Sequence, residues 1–320
     1  MATPRFLHVA NGTSTTATIE AAGIPGQLSI WADVLYEGPV PGDLSDEELL
    51  ALRGGDAVVD VVNDMRLWRQ TIERHDAYDE LILWYEHDLF DQLNLIQLLP
   101  WIQERVPTSK VVSLICIGSF PGRPNFKGLG ELTPNELESL LVTRTPVTET
   151  QYALAQRAWA AFRENTPQAL DLLRLADTTA LPFLASALTR FLQEYPWTTD
   201  GLSRTERRLL ELASGGGIRL FDAFPRMHED EDAYYLTDLS LGDMAQELSR
   251  TSPALLTLTP EQAPHAPLAW RATLTTTGAA VIGGKQDRVE MCGIDRWLGG
   301  VHLHSGARVW RWDPQRARIT

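Results

Sequence analysis

The chain predicts an α/β fold with a mainly parallel sheet in its amino-terminal part, followed by a helical, winged-helix-like carboxyl-terminal part. Three observations predict it. Short apolar runs, above all residues 81–85 in LILWYEHDLFDQ, alternate with stretches whose apolar residues recur at helical spacing. Each run stops abruptly at polar residues, as a buried strand does where it delivers side chains to its carboxyl edge. Beyond residues 146–150 helix-start signals dominate, which divides the 320 residues into domains 1–145 and 146–320.

In order, residues 5–10 read as a strand ending at Asn11-Gly12, and 13–22 as a helix closed by Gly23, the residue suited to a left-handed cap. Residues 27–32 read as a second strand. Asp33 and the turn Tyr36-Glu37-Gly38-Pro39 follow it. SDEE at 45–48 opens a helix, and Val58, Val59, Val62, Met65, Trp68 and Ile72 give the core stripe of another over 56–75, with Arg66 and Arg69 on its solvated face. The strand at 81–85 then leads into a helix through Arg105. A fourth strand at 110–117 leads into the loop GSFPGRPNFKG, too rich in glycine and proline for a regular element.

Candidate site residues cluster after these strands. Asn11, Gly12 and Ser14 stand at a strand-to-helix turn that presents backbone N–H groups to an anion, although Thr13 or Ser14 serving only as a helix cap is an equal reading. His8 sits within its strand and suits a satisfied core histidine as well as a ligand-binding one. Asp33 and Glu37 follow the second strand, and Glu86, His87, Asp88, Asp91 and Gln92 follow the third. Arg123 and Lys127 lie on the loop after the fourth, where they suit a phosphate or carboxylate. Asp88 and Asp91 share one face of a helix's first turn, where acids also favour the amino terminus electrostatically, so Asp88 has a structural use. His87 has no such use; its ordinary pKa near 6.5 suits proton transfer, with Asp88 or Glu86 to orient it. Asp33, Glu37 and Asp91 are oxygen ligands of the kind a magnesium-type cation takes, but the residues assign no metal.

Three stretches carry a resemblance: HVANGTS at 8–14, WADVLYEGPVP at 31–41 and LILWYEHDLFDQ at 81–92. Together they resemble a bacterial family known as domain of unknown function 1835, over roughly the first 140 residues. GIDRWLGGVHL at 293–303 is similar to a segment found at the carboxyl end of such proteins, and it is open whether that segment returns to the first domain. The resemblance implies no activity.

In the carboxyl-terminal half, Thr148 with Gln151 and Ser203 with Glu206 form capping-box pairs, and Thr166-Pro167 reads as a cap with proline at the first helical position. Helices at 204–212 and 239–249 followed by extended 254–259 and 268–276 give the order of a winged helix. Asp243, Glu247, Glu261 and the run HEDED at 228–232 leave it without the cations that phosphates require, so packing or homodimerisation is expected rather than nucleic-acid binding. His302 and His304 alternate on one strand face at a spacing a metal accepts, with no third ligand in view.

Hydrophobic residues make up 44% of the chain and charged residues 22%, an ordinary soluble composition, and no apolar run approaches the roughly 20 residues of a membrane helix. With no signal-like amino terminus and only Cys116 and Cys292, a cytoplasmic protein without a thiolate zinc site is expected. The net charge of -14 opposes broad contact with nucleic acid. The first functional expectation is an enzyme acting on a small anionic, phosphorylated or nucleotide-like ligand, with a divalent cation as the cofactor its acids suit. The second is a ligand-sensing, transcription-associated protein.

Overall fold

Five strands form the sheet that the alternation predicts: β1 (Phe6–Ala10), β2 (Gln27–Ile30), β3 (Glu80–Glu86), β4 (Val111–Ile117) and β5 (Thr145–Pro146), in the order β2-β1-β3-β4-β5. The first four run parallel. The short β5 pairs antiparallel with β4 at one edge. The computed structural model describes residues 4–54, 59–260 and 268–320.

Strand β3 occupies the middle of the sheet, and from Leu81 to Tyr85 every side chain is buried. On one face Ala10, Ile82, Trp84 and Ile115 join Ile19, Phe126, Leu129 and Leu137 in a single apolar cluster. On the other, Leu7, Val9, Leu83 and Tyr85 are buried as well. A parallel strand covered on both faces has no polar side to show, which is why 81–85 is a continuous apolar run rather than an alternating one.

Seven helices accompany the sheet among the described residues of this unit: α1 (Thr13–Ala21), α2 (Asp46–Gly54), α3 (Val59–Glu73), α4 (Leu89–Arg105), α5 (Pro134–Ser139), α6 (Glu149–Phe162) and α7 (Gln168–Leu173). Gly23 closes α1 at φ +66°, the left-handed conformation its lack of a Cβ permits. In the stretch 56–75, Val58 and the side chain of Val59 lie outside the described residues. Arg66 pairs with Glu47 near the surface, but Arg69 is not solvated: its guanidinium lies over the Trp31 ring at 5.0 Å, and desolvation lowers its pKa. Thr148 and Gln151 make the expected capping box on α6. Thr166 does not cap α7; Pro167 holds the N-cap position, without a side-chain bond.

The chain divides into two units, Met1–Ala187 with Gly299–Val301 and Leu188–Leu298 with His302–Thr320. The division falls later than the junction read at 146–150 because α6 packs on α4 and so belongs with the sheet. Residues 299–301 return to the first unit, where the Gly299 carbonyl accepts from Val40 N at 2.8 Å and Gly300 N donates to the Phe162 carbonyl at 3.0 Å.

Helix α8 (Leu184–Leu192) leads into the second unit, which contains α9 (Arg204–Ala213), β6 (Ile218–Arg219), α10 (Leu220–Met227), α11 (Asp238–Arg250), β7 (Leu256–Pro260) and β8 (Trp270–Leu274). The Ser203–Glu206 capping box opens α9 as expected. The strands pair antiparallel in the order β6-β8-β7, over buried Leu209, Leu220, Leu241, Leu248 and Ala272. Glu261 lies outside the described residues.

Candidate functional site

The sheet order creates a distinctive place. From β1 the chain crosses to β2 on one side, whereas from β3 it proceeds to β4 on the other, so β1 and β3 are neighbours whose connections diverge. At such a switch point the loops part, and open α/β sheets bind their ligands in the crevice outside the strands' carboxyl ends. Asn11 leaves β1 there and Glu86 ends β3.

These two residues meet. Asn11 Nδ2 donates to Glu86 Oε1 at 2.9 Å and to Asp91 Oδ2 at 3.0 Å, while its Oδ1 accepts from Thr15 Oγ1 at 2.7 Å. Glu86 Oε1 also accepts from Leu129 N at 2.7 Å, and Asp91 Oδ1 accepts from Glu86 N at 2.8 Å. Asp88 caps α4 by accepting from Asp91 N at 2.9 Å. Gln92 Nε2 donates to the Glu86 carbonyl at 2.6 Å, which holds the strand end against the helix.

Oxygen atoms of Glu86, Asp88 and Asp91 all lie within 4.8 Å of one another, and all three residues are buried. Three carboxylates so close and so dry cannot all carry charge without compensation. Burial, then the Asp88 charge, pushes Glu86 up to about 8. Burial followed by the Glu86 and Asp88 charges raises Asp91 well above the carboxylate range, and burial raises Asp88 too. The Cys116 thiol, 3.5 Å from the Glu86 carbonyl, is pushed up to about 12 by desolvation and then by Asp91, so it is no nucleophile at neutral pH.

The donor set fits a hard cation: it is all oxygen, from three carboxylates that converge within 4.8 Å of one another. Gly128 makes room for Glu86, since a Cβ on it would stand 2.3 Å from Oε2. Helix α1 starts beside Asn11 with Gly12 at its N-cap and no side-chain cap. Neither Thr13 nor Ser14 is therefore the cap. Ser14 is exposed, and its Oγ would lie 2.5 Å from a Cβ on Gly130.

The other candidates are placed elsewhere. His8 is fully buried in β1, where Trp84 Nε1 donates to its Nδ1 at 3.0 Å and its Nε2 lies 3.3 Å from the Pro25 carbonyl; burial lowers its pKa, and it is a core residue. Asp33 does not join Asp91 in a cation site. Arg53 takes both its oxygens, at 2.5 and 2.6 Å, and donates to the Glu37 carbonyl at 2.9 Å. Glu37 is itself exposed. Arg123 binds both oxygens of Glu136, at 3.1 and 2.7 Å, and the Lys127 backbone N donates to Glu131 at 3.1 Å. His87 stands beside the acids with its ring between Phe126 and Phe183, at 6.2 and 6.1 Å, and its Nδ1 is buried without a partner among the described residues.

Sequence reasoning missed Arg53, Thr15 and the Leu129 backbone N–H. A backbone donor has no side-chain signature, and Arg53 reads only as the cation closing α2. In the second unit, His302 and His304 do share an exposed face, but His302 Nε2 is spent on Asp295 at 2.7 Å. Among the described residues the one convergent group of potential metal ligands is Glu86, Asp88 and Asp91. A cleft of about 1000 Å³ in that unit, lined by Glu247, Arg288, Asp295 and His302, has these charges already paired. No described helix is long and apolar enough to cross a membrane.

Compared with known proteins, the chain matches no family model, and no curated protein is similar enough to it to count as a relative.

Proposed function

We propose that the first unit is an enzyme domain that binds a small anionic ligand, phosphorylated or nucleotide-like, together with a divalent cation at the switch point between β1 and β3. One observation carries the reading: three buried carboxylates converge where a sheet of this order receives its ligand, beside a helix amino terminus that no side chain caps. An anion at the α1 N–H groups would be repelled by Glu86, Asp88 and Asp91 unless a cation stood between them. Glu86, Asp88 and Asp91 would hold that cation, and Asn11 orients two of the three. When bound, such a cation neutralises charge on ligand oxygens. His87 is the proton-transfer group of this reading, because its buried Nδ1 has no partner among the described residues.

A thermal-shift titration tests it with magnesium alone, inorganic phosphate or a nucleoside diphosphate alone, and each anion with magnesium. Anion stabilisation only in the presence of magnesium, lost in Asp91→Asn, is expected. Equal anion stabilisation in EDTA would overturn the cation-bridged reading.

A second reading has its own support. The order α9, β6, α10, α11, β7, β8 with sheet order β6-β8-β7 supports a winged-helix reading of the second unit, and with it a ligand-sensing protein whose second unit relays the signal. Its helix α11 carries Asp243 and Glu247 and only Arg250 as a cation, so a protein rather than DNA is its partner.

A further inference from the structure

Aromatic side chains stand exposed on α10 and just before α11 in the second unit. Phe221 on α10 is 69% exposed and Tyr235, just before α11, is 48% exposed. Phe224 joins them into one patch, one helical turn from Phe221 and edge-on to Tyr235 at 6.4 Å. His228 fixes the arrangement: its ring packs on Phe224 at 4.9 Å and on Tyr235 at 4.8 Å, its Nδ1 lies 2.8 Å from the Phe224 carbonyl, and Leu236 N donates to its Nε2 at 3.2 Å. The patch is thus a built surface and not a frayed end. Leu239, four residues beyond Tyr235, is 63% exposed as well.

The rim is acidic. The loop carrying Glu229, Asp230 and Asp232 leaves the patch at His228 and returns to it at Tyr235. Glu229 and Asp230 reach only the half-exposed Arg208, at 3.4 and 3.7 Å. From residue 219 to 243 there are seven acids and two arginines, and Arg219 is spent on Asp222 at 2.6 Å. Exposed contiguous aromatics with a charged rim mark an interaction surface, and the rim's sign selects the partner. A second copy would set acid rim against acid rim, and a phosphate backbone would be repelled.

We propose that the Phe221–Phe224–Tyr235 patch docks a cationic amphipathic segment of another protein, its aliphatic side chains on the three rings and its Lys or Arg side chains against Glu229, Asp230 and Asp232. The full chain is tested by fluorescence anisotropy with a labelled Lys/Leu peptide patterned as an amphipathic helix, and with its Glu/Leu counterpart. Binding of the Lys/Leu peptide that weakens with salt, falls at least tenfold in both Phe221→Ser and the double variant Asp230→Lys/Asp232→Lys, and is absent for the Glu/Leu peptide is the expected result. Circular dichroism confirms folding of each variant, which exposed positions permit. No Lys/Leu binding, undiminished binding to Phe221→Ser, or a dimer of the native chain that Phe221→Ser dissociates would each overturn the proposal.

Discussion

Glu86 and Glu206 are both buried glutamates, 4% and 2% exposed, and their environments push them in opposite directions. Glu86 has two carboxylates for neighbours and is pushed up to about 8. Glu206, in the second unit, is penalised by the same burial. Arg296 at 2.5 Å and Arg288 at 3.7 Å overcome that penalty and hold it down at about 2. Burial sets the cost of a charge, and the neighbours decide whether the charge survives. The second cluster is complete as it stands and reads as a cross-link. The first is short of positive charge, the condition of a place that takes a proton or a cation.

The largest expected effect breaks the complete cluster. Glu206→Ala removes the carboxylate between the buried Arg288 and the partly buried Arg296 guanidiniums, and also the N3 residue of the α9 capping box. The half-exposed Glu247 still contacts both arginines, at 3.0 and 3.2 Å, so the loss should fall somewhat below the roughly 3–5 kcal/mol of a buried pair left wholly uncompensated. Urea denaturation should show that loss, and a change smaller than about 1 kcal/mol would mean that water reaches the arginines and that the cluster is not dry.

Next comes the incomplete cluster. Magnesium at 100 times its dissociation constant should add about 2.7 kcal/mol of stability to the native chain. Glu86→Gln, which keeps an oxygen acceptor for Asn11 and Leu129 N, should abolish that response while folding normally. An unaltered magnesium shift in this variant would remove Glu86 from the proposed cation site.

Without metal, the pH dependence should follow the same logic. Glu86 binds its proton more tightly folded than unfolded, so its stabilisation is whole below about pH 4.3 and is lost as pH rises toward about 8. The slope in that window is at most about 1.4 kcal/mol per pH unit for one proton. Glu86→Gln should flatten the curve of melting temperature against pH between 5 and 8. If native chain and variant gave parallel curves, the proton would reside elsewhere.

Much of this site was legible because a central parallel strand announces itself. The run at 81–85 located β3, and the polar residues after it, with Asn11 after β1, named five members of the network: Asn11, Glu86, Asp88, Asp91 and Gln92. Pairings across loops were not legible. Asp33 and Arg123 looked free, but Arg53 claims one from 20 residues away and Glu136 claims the other from 13, and periodicity is silent about such contacts. His8 was ambiguous for a related reason: the Trp84 that satisfies it lies 76 residues on, brought alongside only by strand register. The aromatic patch was illegible because Phe221 and Leu239 sit in helices beside buried apolar residues, Leu220, Ala223 and Met227 in α10 and Leu241, Ala245 and Leu248 in α11.

The smallest expected effect sharpens the comparison with a third acid. Glu136, held by Arg123, Thr133 N and the Thr133 hydroxyl, lies at about 2, the same place as Glu206. The shared number conceals different physics. Glu206 reaches it against a large burial penalty, whereas the Arg123–Glu136 pair faces water, where screening offsets most of what the pairing contributes. Arg123→Ala should therefore leave the melting temperature unchanged within error, while Arg296→Ala lowers it by several degrees. Raising the salt to 1 M should raise the Glu136 titration midpoint, read by NMR, and leave that of Glu206 in place. Should Glu206 respond to salt as Glu136 does, burial would not be what separates them, and the contrast between the complete and incomplete clusters would lose its physical basis.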